Sequence, residues 1–226
     1  MNTTAYVLIA VAAVPALLGV GVCVVMQPFV IPVRSTPPAV DAAKLEAHVR
    51  MLAHTFYPRS FDQPDKLEAA ASYVHAEMEK AGARVEDQYF VFEESRYRNI
   101  VGRYGPDDAE TIVIGAHYDS YADAQEGAKF KKGFDSSTHT PGADDNASGV
   151  AGLLELARLL GQTAPDIGVE LVAYALEEPP SFGTETMGSV HHARHMRDSK
   201  RRVALMISLE MIGHFDTRPI IFCAVR

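Results

Sequence analysis

Four stretches of this chain carry side chains whose types and spacing could do chemistry together. Pro141-Gly142-Ala143-Asp144-Asp145-Asn146-Ala147-Ser148-Gly149 sets two adjacent carboxylates in a turn of small residues. An apolar run from Val150 to Leu160 follows it. His117-Tyr118-Asp119 stands directly after the apolar stretch Thr111 to Ala116. Glu177-Glu178-Pro179-Pro180 follows the apolar stretch Gly168 to Ala175, and Glu210 follows Val203 to Leu209. Each alone has a bland reading. Asp and Asn are common in solvated turns, and a lone His after a strand is usually structural. Together they suggest more. A carboxylate held at a buried loop-to-helix junction is costly unless something positive meets it, and the turn itself holds no Arg or Lys. A divalent cation is the obvious partner. Hard oxygen donors plus imidazole suit zinc in an open, catalytic site. Asp119 can accept from one ring nitrogen of His117 and leave the other for a metal. Adjacent glutamates allow a division of labour, one binding metal and the other taking a proton from a metal-bound water. A calcium loop resembling an EF-hand, on Asp144, Asn146, Ser148, Gly149 and Glu155, is the lesser reading. It needs a helix before it, and Gly127 to Gly142 is too rich in Gly, Ser, Thr and Pro.

The elements that must position these groups follow from periodicity. Asp41 to Thr55 and Pro64 to Ala81 read as helices, with Pro64 suited to a first turn and Gly82 to an end. Ala83 to Phe92 and Tyr97 to Tyr104 read as strands joined by a short polar turn. Thr111 to Ala116 is a continuous apolar strand, as at a sheet's buried centre. Ser120 to Thr140 is an irregular polar insertion. Val150, Leu153, Leu154, Ala157 and Leu160 recur at helical spacing, and Asn146 or Ser148 can cap that helix. Gly168 to Ala175, Val203 to Leu209 and Pro219 to Val225 read as strands, and Gly183 to Arg197 as a helix. Strands alternating with helices imply an α/β sandwich with a mainly parallel central sheet. In such sheets, sites form beyond the carboxyl ends of the strands, where His117, Glu177, Glu178 and Glu210 fall.

The chain has 226 residues, 47% hydrophobic and 22% charged, enough for one ordinary domain. Its net charge of −8 argues against nucleic acid as a partner. Two cysteines, Cys23 and Cys223, make neither a disulfide framework nor a thiolate metal site. Ala5 to Met26 is uncharged, and about 22 residues of helix span about 33 Å, close to a bilayer core of about 30 Å. Met1 to Tyr6 lacks the basic start of a signal peptide, so an uncleaved single-pass membrane anchor is expected. Residues 1–34 then form the anchor and the start of a Pro-rich linker, and residues 35–226 the catalytic domain. Arg34 is the only charge nearby and orients the span little; a domain on the extracytoplasmic side is favoured.

Ile114-Gly115-Ala116-His117-Tyr118-Asp119, the turn Pro141 to Gly149, and Glu177-Glu178 followed by Met187-Gly188-Ser189 together resemble the co-catalytic zinc aminopeptidase family. That family also includes glutamate carboxypeptidase II and the glutaminyl cyclases. The match runs from Asp41 to the C-terminus. It implies a three-layer α/β sandwich with a mixed, mostly parallel sheet, and hydrolysis of a peptide or related amide bond with two zinc ions. By position, His117 would bind the first zinc and Asp119 would orient it. Asp145 would bridge both metals, with the peptide after it held cis, and Asp144 would not be a ligand. Glu177 would be the general base, Glu178 a ligand of the second zinc, and Glu210 a ligand of the first. Two departures stand out. The segment from Glu178 to Gly188 is long and could reshape the substrate side. The family's fifth ligand, a His, comes from a loop well beyond the Glu210 strand, and neither His191, His192, His195 nor His214 matches it. The chain is therefore expected to be a truncated product or a fragment of a longer reading frame. Two further readings stay open: a metal-poor remnant or binding domain holding one zinc or fewer, and other amide-directed chemistry such as cyclisation or carboxypeptidase action.

Overall fold

The computed structural model describes residues 39–107, 110–122, 139–163 and 165–213. The expected membrane span Ala5–Met26, most of the insertion, His214 and the expected strand Pro219–Val225 lie outside the described residues. Among the described residues, no helix is long and apolar enough to cross a membrane.

Two helices lead in. α1 (Ala42–Arg50) is capped by Asp41, whose carboxylate accepts from the amides of Ala43 and Lys44 at 3.1 and 3.2 Å. It runs on into a wider turn at Met51–Thr55. α2 (Pro64–Lys80) carries Pro64 in its first turn, where the missing N–H costs nothing. Leu67, Ala70, Ala71, Val74 and Met78 form its buried stripe, the spacing of one helical face.

β1 (Arg84–Phe92) and β2 (Ser95–Tyr104) form an antiparallel hairpin. β3 (Thr111–His117), α3 (Gly149–Leu160), β4 (Gly168–Tyr174), α4 (Gly188–Asp198) and β5 (Val203–Ser208) follow. The strands lie in the order β1-β2-β4-β3-β5. β3 pairs parallel with both β4 and β5, whereas β2 pairs antiparallel with β4. The sheet is thus mixed, with parallel and antiparallel pairings in equal number among the described strands rather than mostly parallel. The sequence shows each strand but not that the hairpin adds beside β4.

Alternation along the strands gives the sheet two buried faces. Ile100, Tyr104, Leu171 and Ala173 pack with α2 and α3, while Val101, Val113, Val172 and Tyr174 pack with Met196 of α4. Glu170 interrupts the apolar run of β4 and is fully buried. Its carboxylate accepts from Arg103 Nε at 3.0 Å and Arg201 Nη2 at 2.6 Å, the pairing a buried charge requires. β5 is paired only with β3 among the described strands and leaves Val203, Met206 and Ile207 exposed.

The helix expected from Gly183 begins five residues later. Gly183 is left-handed at φ +71 and the segment before Gly188 is a series of turns. Gly188 N donates to Ala175 O at 2.9 Å and Asn99 Nδ2 donates to Gly188 O at 2.8 Å. These bonds dock the chain on the end of β4, and only beyond them can it coil.

Candidate metal centre

The parallel trio β4-β3-β5 brings three strand ends to one edge of the sheet. His117 closes β3 and is buried. Its Nε2 lies 3.1 Å from Asp145 Oδ1, 3.3 Å from Glu210 Oε1 and 3.7 Å from Glu177 Oε2. Its Nδ1 lies 3.4 Å from Asp119 Oδ1. One donor atom each from His117, Asp145 and Glu210 fall within 4.8 Å of one another.

Asp119 does more than face the imidazole. Its two carboxylate oxygens accept from the amides of Glu177 and Glu178, at 3.1 and 3.0 Å. The exit of β3 thereby fixes the exit of β4. Leu176, just before the pair, takes a left-handed φ of +57, a strained state for a residue with a Cβ that persists where surrounding bonds over-determine it. Met211, just after Glu210, is also left-handed at +48.

Asp145 sits in the turn Ala143–Ser148, which Gly142 enters at φ +57. The Asp145–Asn146 peptide is cis, as the family resemblance implies. Asn146 is the residue sequence reasoning treated only as a cap. It does accept from Gly149 N at 3.0 Å, starting α3. Its amide nitrogen also donates to Leu209 O at 2.8 Å and to Glu210 Oε2 at 3.2 Å. It therefore ties the Asp145 turn to the end of β5. Asp144 turns away and accepts from Gly213 N at 2.9 Å. Glu155 instead accepts from Asp41 N at 2.8 Å and from Arg158 at 2.7 and 2.8 Å. The calcium-loop positions do not converge.

Arg59 is a second residue that sequence reasoning missed. It is fully buried, and its guanidinium bonds four backbone carbonyls around the site. Burial lowers its pKa to about 10, with Asp119 and Asp145 acting in the opposite direction. The three helical histidines stand elsewhere. His191 stacks on Phe90, His192 is buried against Gln88 at 3.0 Å, and His195 faces Glu86 at 3.9 Å.

The electrostatics call for a cation. Five carboxylates surround one imidazole. Burial alone would lower His117, but Asp119, Asp145 and Glu210 outweigh it and raise the ring well above its ordinary value. Burial pushes Glu177 up to about 7, and the neighbouring acids Asp119, Glu210 and Asp145 add to it. Burial likewise raises Glu178 to about 8, with Asp145 the foremost of the charges that add to it. Glu178 Oε1 and His117 Nδ1 are buried without a hydrogen-bond partner among the described residues. The spacing also fits. Donors about 2.0–2.1 Å from a tetrahedral ion stand about 3.3 Å apart, and the closest donors here stand 3.1 and 3.3 Å apart.

Known proteins resemble this chain in sequence and in fold. YfbL, an uncharacterized protein of Escherichia coli K12, is 49% identical over 193 residues, covering 85% of this chain and 56% of YfbL. The chain spans about half the length of YfbL and of a second curated relative, the alkaline phosphatase isozyme conversion protein of Escherichia coli K12. A leucine aminopeptidase precursor from Bacteroides thetaiotaomicron superposes with a TM-score of 0.64 at 28% identity, over 79% of this chain and 65% of that one. A glutaminyl cyclase from the same organism, solved with N-acetylhistamine, gives 0.63 at 28% identity, over 78% and 64%. The sequence model of peptidase family M28 matches residues 99–224, a span that holds every acid and the histidine of the cluster. On its motifs, its fold and this match, the chain belongs to peptidase family M28.

Proposed function

We propose that this chain carries the centre of a zinc-dependent peptidase of aminopeptidase type, built to hold two zinc ions. The observation that carries the reading is the meeting of His117, Asp145 and Glu210 within 4.8 Å, with Glu177 alongside at 3.7 Å from the imidazole. His117 and Glu210 would hold one ion, Glu178 the other, and Asp145 both. Asp145 supports the bridging role because it touches His117 and is also the strongest charge acting on Glu178. Zinc bound there supplies Lewis acidity, lowering the pKa of a water and polarising a carbonyl.

The remaining steps belong to the chain's own side chains. Asp119 faces the His117 ring at Nδ1, 3.4 Å away, and fixes the Glu177–Glu178 backbone. Glu177 lies outside the closest donor set and is partly open to solvent. It takes the proton of the attacking water as the water oxygen bonds to the peptide carbon. The same proton then passes to the leaving amine as the C–N bond breaks, so Glu177 serves first as base and then as acid. The likeness to an aminopeptidase precursor supports cleavage next to a free amino terminus. The comparable likeness to a glutaminyl cyclase keeps cyclisation as the second reading.

Replacing Glu177 tests the assignment. Glu177→Gln should lower turnover of aminoacyl amides by about 10²- to 10⁴-fold while zinc content stays that of the unaltered chain. Zinc lost together with activity would count against Glu177 as the base. Turnover of glutaminyl peptides with none of aminoacyl amides would move the conclusion to cyclisation.

A further inference from the structure

Arg59 lies between the turn that ends α1 and the start of α2. Its side chain is fully buried, yet none of its hydrogen bonds among the described residues goes to a carboxylate. Nε donates to Tyr118 O at 2.8 Å, and Nη1 donates to Leu52 O at 2.6 Å and Pro141 O at 2.9 Å. Nη2 donates to Gly142 O at 3.0 Å. Its backbone is held as well: Ser120 N donates to Arg59 O at 2.9 Å, and Arg59 N donates to Ser120 Oγ at 3.3 Å.

These partners are not scattered. Tyr118 is the residue between His117 and Asp119. Pro141 and Gly142 open the turn that presents Asp145. Leu52 belongs to the turn after α1. One planar fork thus ties the β3 exit, the Asp145 turn and the helical layer together, a geometry that the single point donor of a lysine does not reproduce. The space under the turn is filled by this group. A Cβ at Gly142 would meet Arg59 Nη2 at 2.9 Å and Asp145 O at 2.4 Å. A buried guanidinium bonded only to neutral carbonyls is costly in isolation. Here the carboxylates of Asp119 and Asp145 act on its charge and offset part of that cost.

We propose that Arg59 is a positioning residue of the metal centre, whose fork sets the Asp145 turn against the His117 strand end and thereby sets the affinity for the metal. This rests on the metal-site reading above. Its side-chain hydrogen bonds among the described residues go to backbone carbonyls, so it acts through the backbone that carries the metal donors.

Cobalt(II) titration of the chain and of Arg59→Lys tests it, with far-ultraviolet circular dichroism as the check on folding. The lysine keeps the charge and loses the fork. The expected result is native secondary structure with cobalt bound about 10- to 100-fold more weakly, the range found when groups supporting metal ligands are removed, together with an altered visible band. A folded Arg59→Lys that binds cobalt with unchanged affinity and an unchanged band overturns the proposal, however far its melting temperature falls. An unaltered chain that takes up no cobalt overturns the metal reading itself, which separates the two failures. Should Arg59→Lys not fold, the unaltered chain supplies the second measurement. If the clamp and the site are coupled, linkage requires zinc to tighten the clamp, so exchange of the Arg59 Nε proton slows on adding zinc. Exchange unchanged by zinc overturns the proposal.

Discussion

Asp119 shows how much one buried carboxylate can organise. It faces His117 Nδ1 on one side and takes the amides of Glu177 and Glu178 on the other. The isosteric change Asp119→Asn keeps the shape and breaks the pattern. An amide offers one acceptor oxygen and one donor nitrogen, so one of the two backbone N–H groups would face another donor. Leaving a buried donor unmade costs about 1–3 kcal/mol. Zinc affinity, read by competition with a chelating dye, should fall by about 10- to 100-fold, and the melting temperature should fall with it. Unchanged affinity would reduce Asp119 to a structural residue. At this scale the sequence was informative where chemistry leaves adjacent marks. His117 beside Asp119, Asp145 in its small-residue turn and the Glu177–Glu178 pair all announce themselves. Arg59 and Asn146 do not. Both act by bonding backbone carbonyls far away in sequence, and such bonds impose no residue type on their partners.

At the scale of elements, the site depends on where strands stop and helices start. Asn99 of β2 accepts from Ala175 N at 3.1 Å and donates to Gly188 O at 2.8 Å, so it joins the end of β4 to the start of α4. Gly188 fits there because it lacks a side chain: an added Cβ would stand 2.2 Å from Asn99 Oδ1 and 2.4 Å from Ala175 O. The second neighbour is backbone and cannot swing aside. Gly188→Ala should therefore destabilise the chain by about 1–3 kcal/mol, the cost of overpacking a buried site. Thermal unfolding should show the loss, and zinc affinity should drop because the Glu177–Glu178 turn lies directly between β4 and this contact. An unchanged melting temperature would mean that α4 shifts freely. The same contact explains why the helix start was misplaced from sequence by five residues. No proline in Gly183-Thr184-Glu185-Thr186 stops a helix, but docking at Gly188 decides where coiling begins. The antiparallel place of the hairpin was hidden for a similar reason. Pairing of β2 with β4 joins residues such as Ile100 and Ala173, and no local pattern records so distant a neighbour.

At the scale of the whole molecule, the fold gathers the carboxylates of Asp119, Asp145, Glu177, Glu178 and Glu210 at one sheet edge around the single imidazole of His117. That arrangement predicts a pH dependence of stability with a definite sign in the metal-free state. Folded Glu177 and Glu178 keep their protons up to about 7 and about 8, against an ordinary value of 4.5. Between those values the folded chain binds more protons than the unfolded chain, so stability falls as pH rises. The contribution is fully present below about pH 4.5 and gone above about pH 8. His117 is also raised, so it pulls in the same direction above its ordinary value of 6.5, whereas His48, His191 and His192, lowered by burial, pull the other way only below that value. Each tenfold gain in proton affinity on folding corresponds to about 1.4 kcal/mol, and a domain of this size loses about 2–4 °C per kcal/mol. The chelator-treated chain should therefore melt at least about 5 °C lower near pH 8.5 than near pH 5. Zinc takes the place of those protons, because it binds the ionised carboxylates, and its affinity grows as pH rises. Adding zinc should then restore stability near pH 8.5 and do little near pH 5, so the two melting curves separate only on the alkaline side. A metal-free chain that grew more stable toward alkaline pH would show that these acids are ionised in the fold without a cation, and that some other positive group meets them.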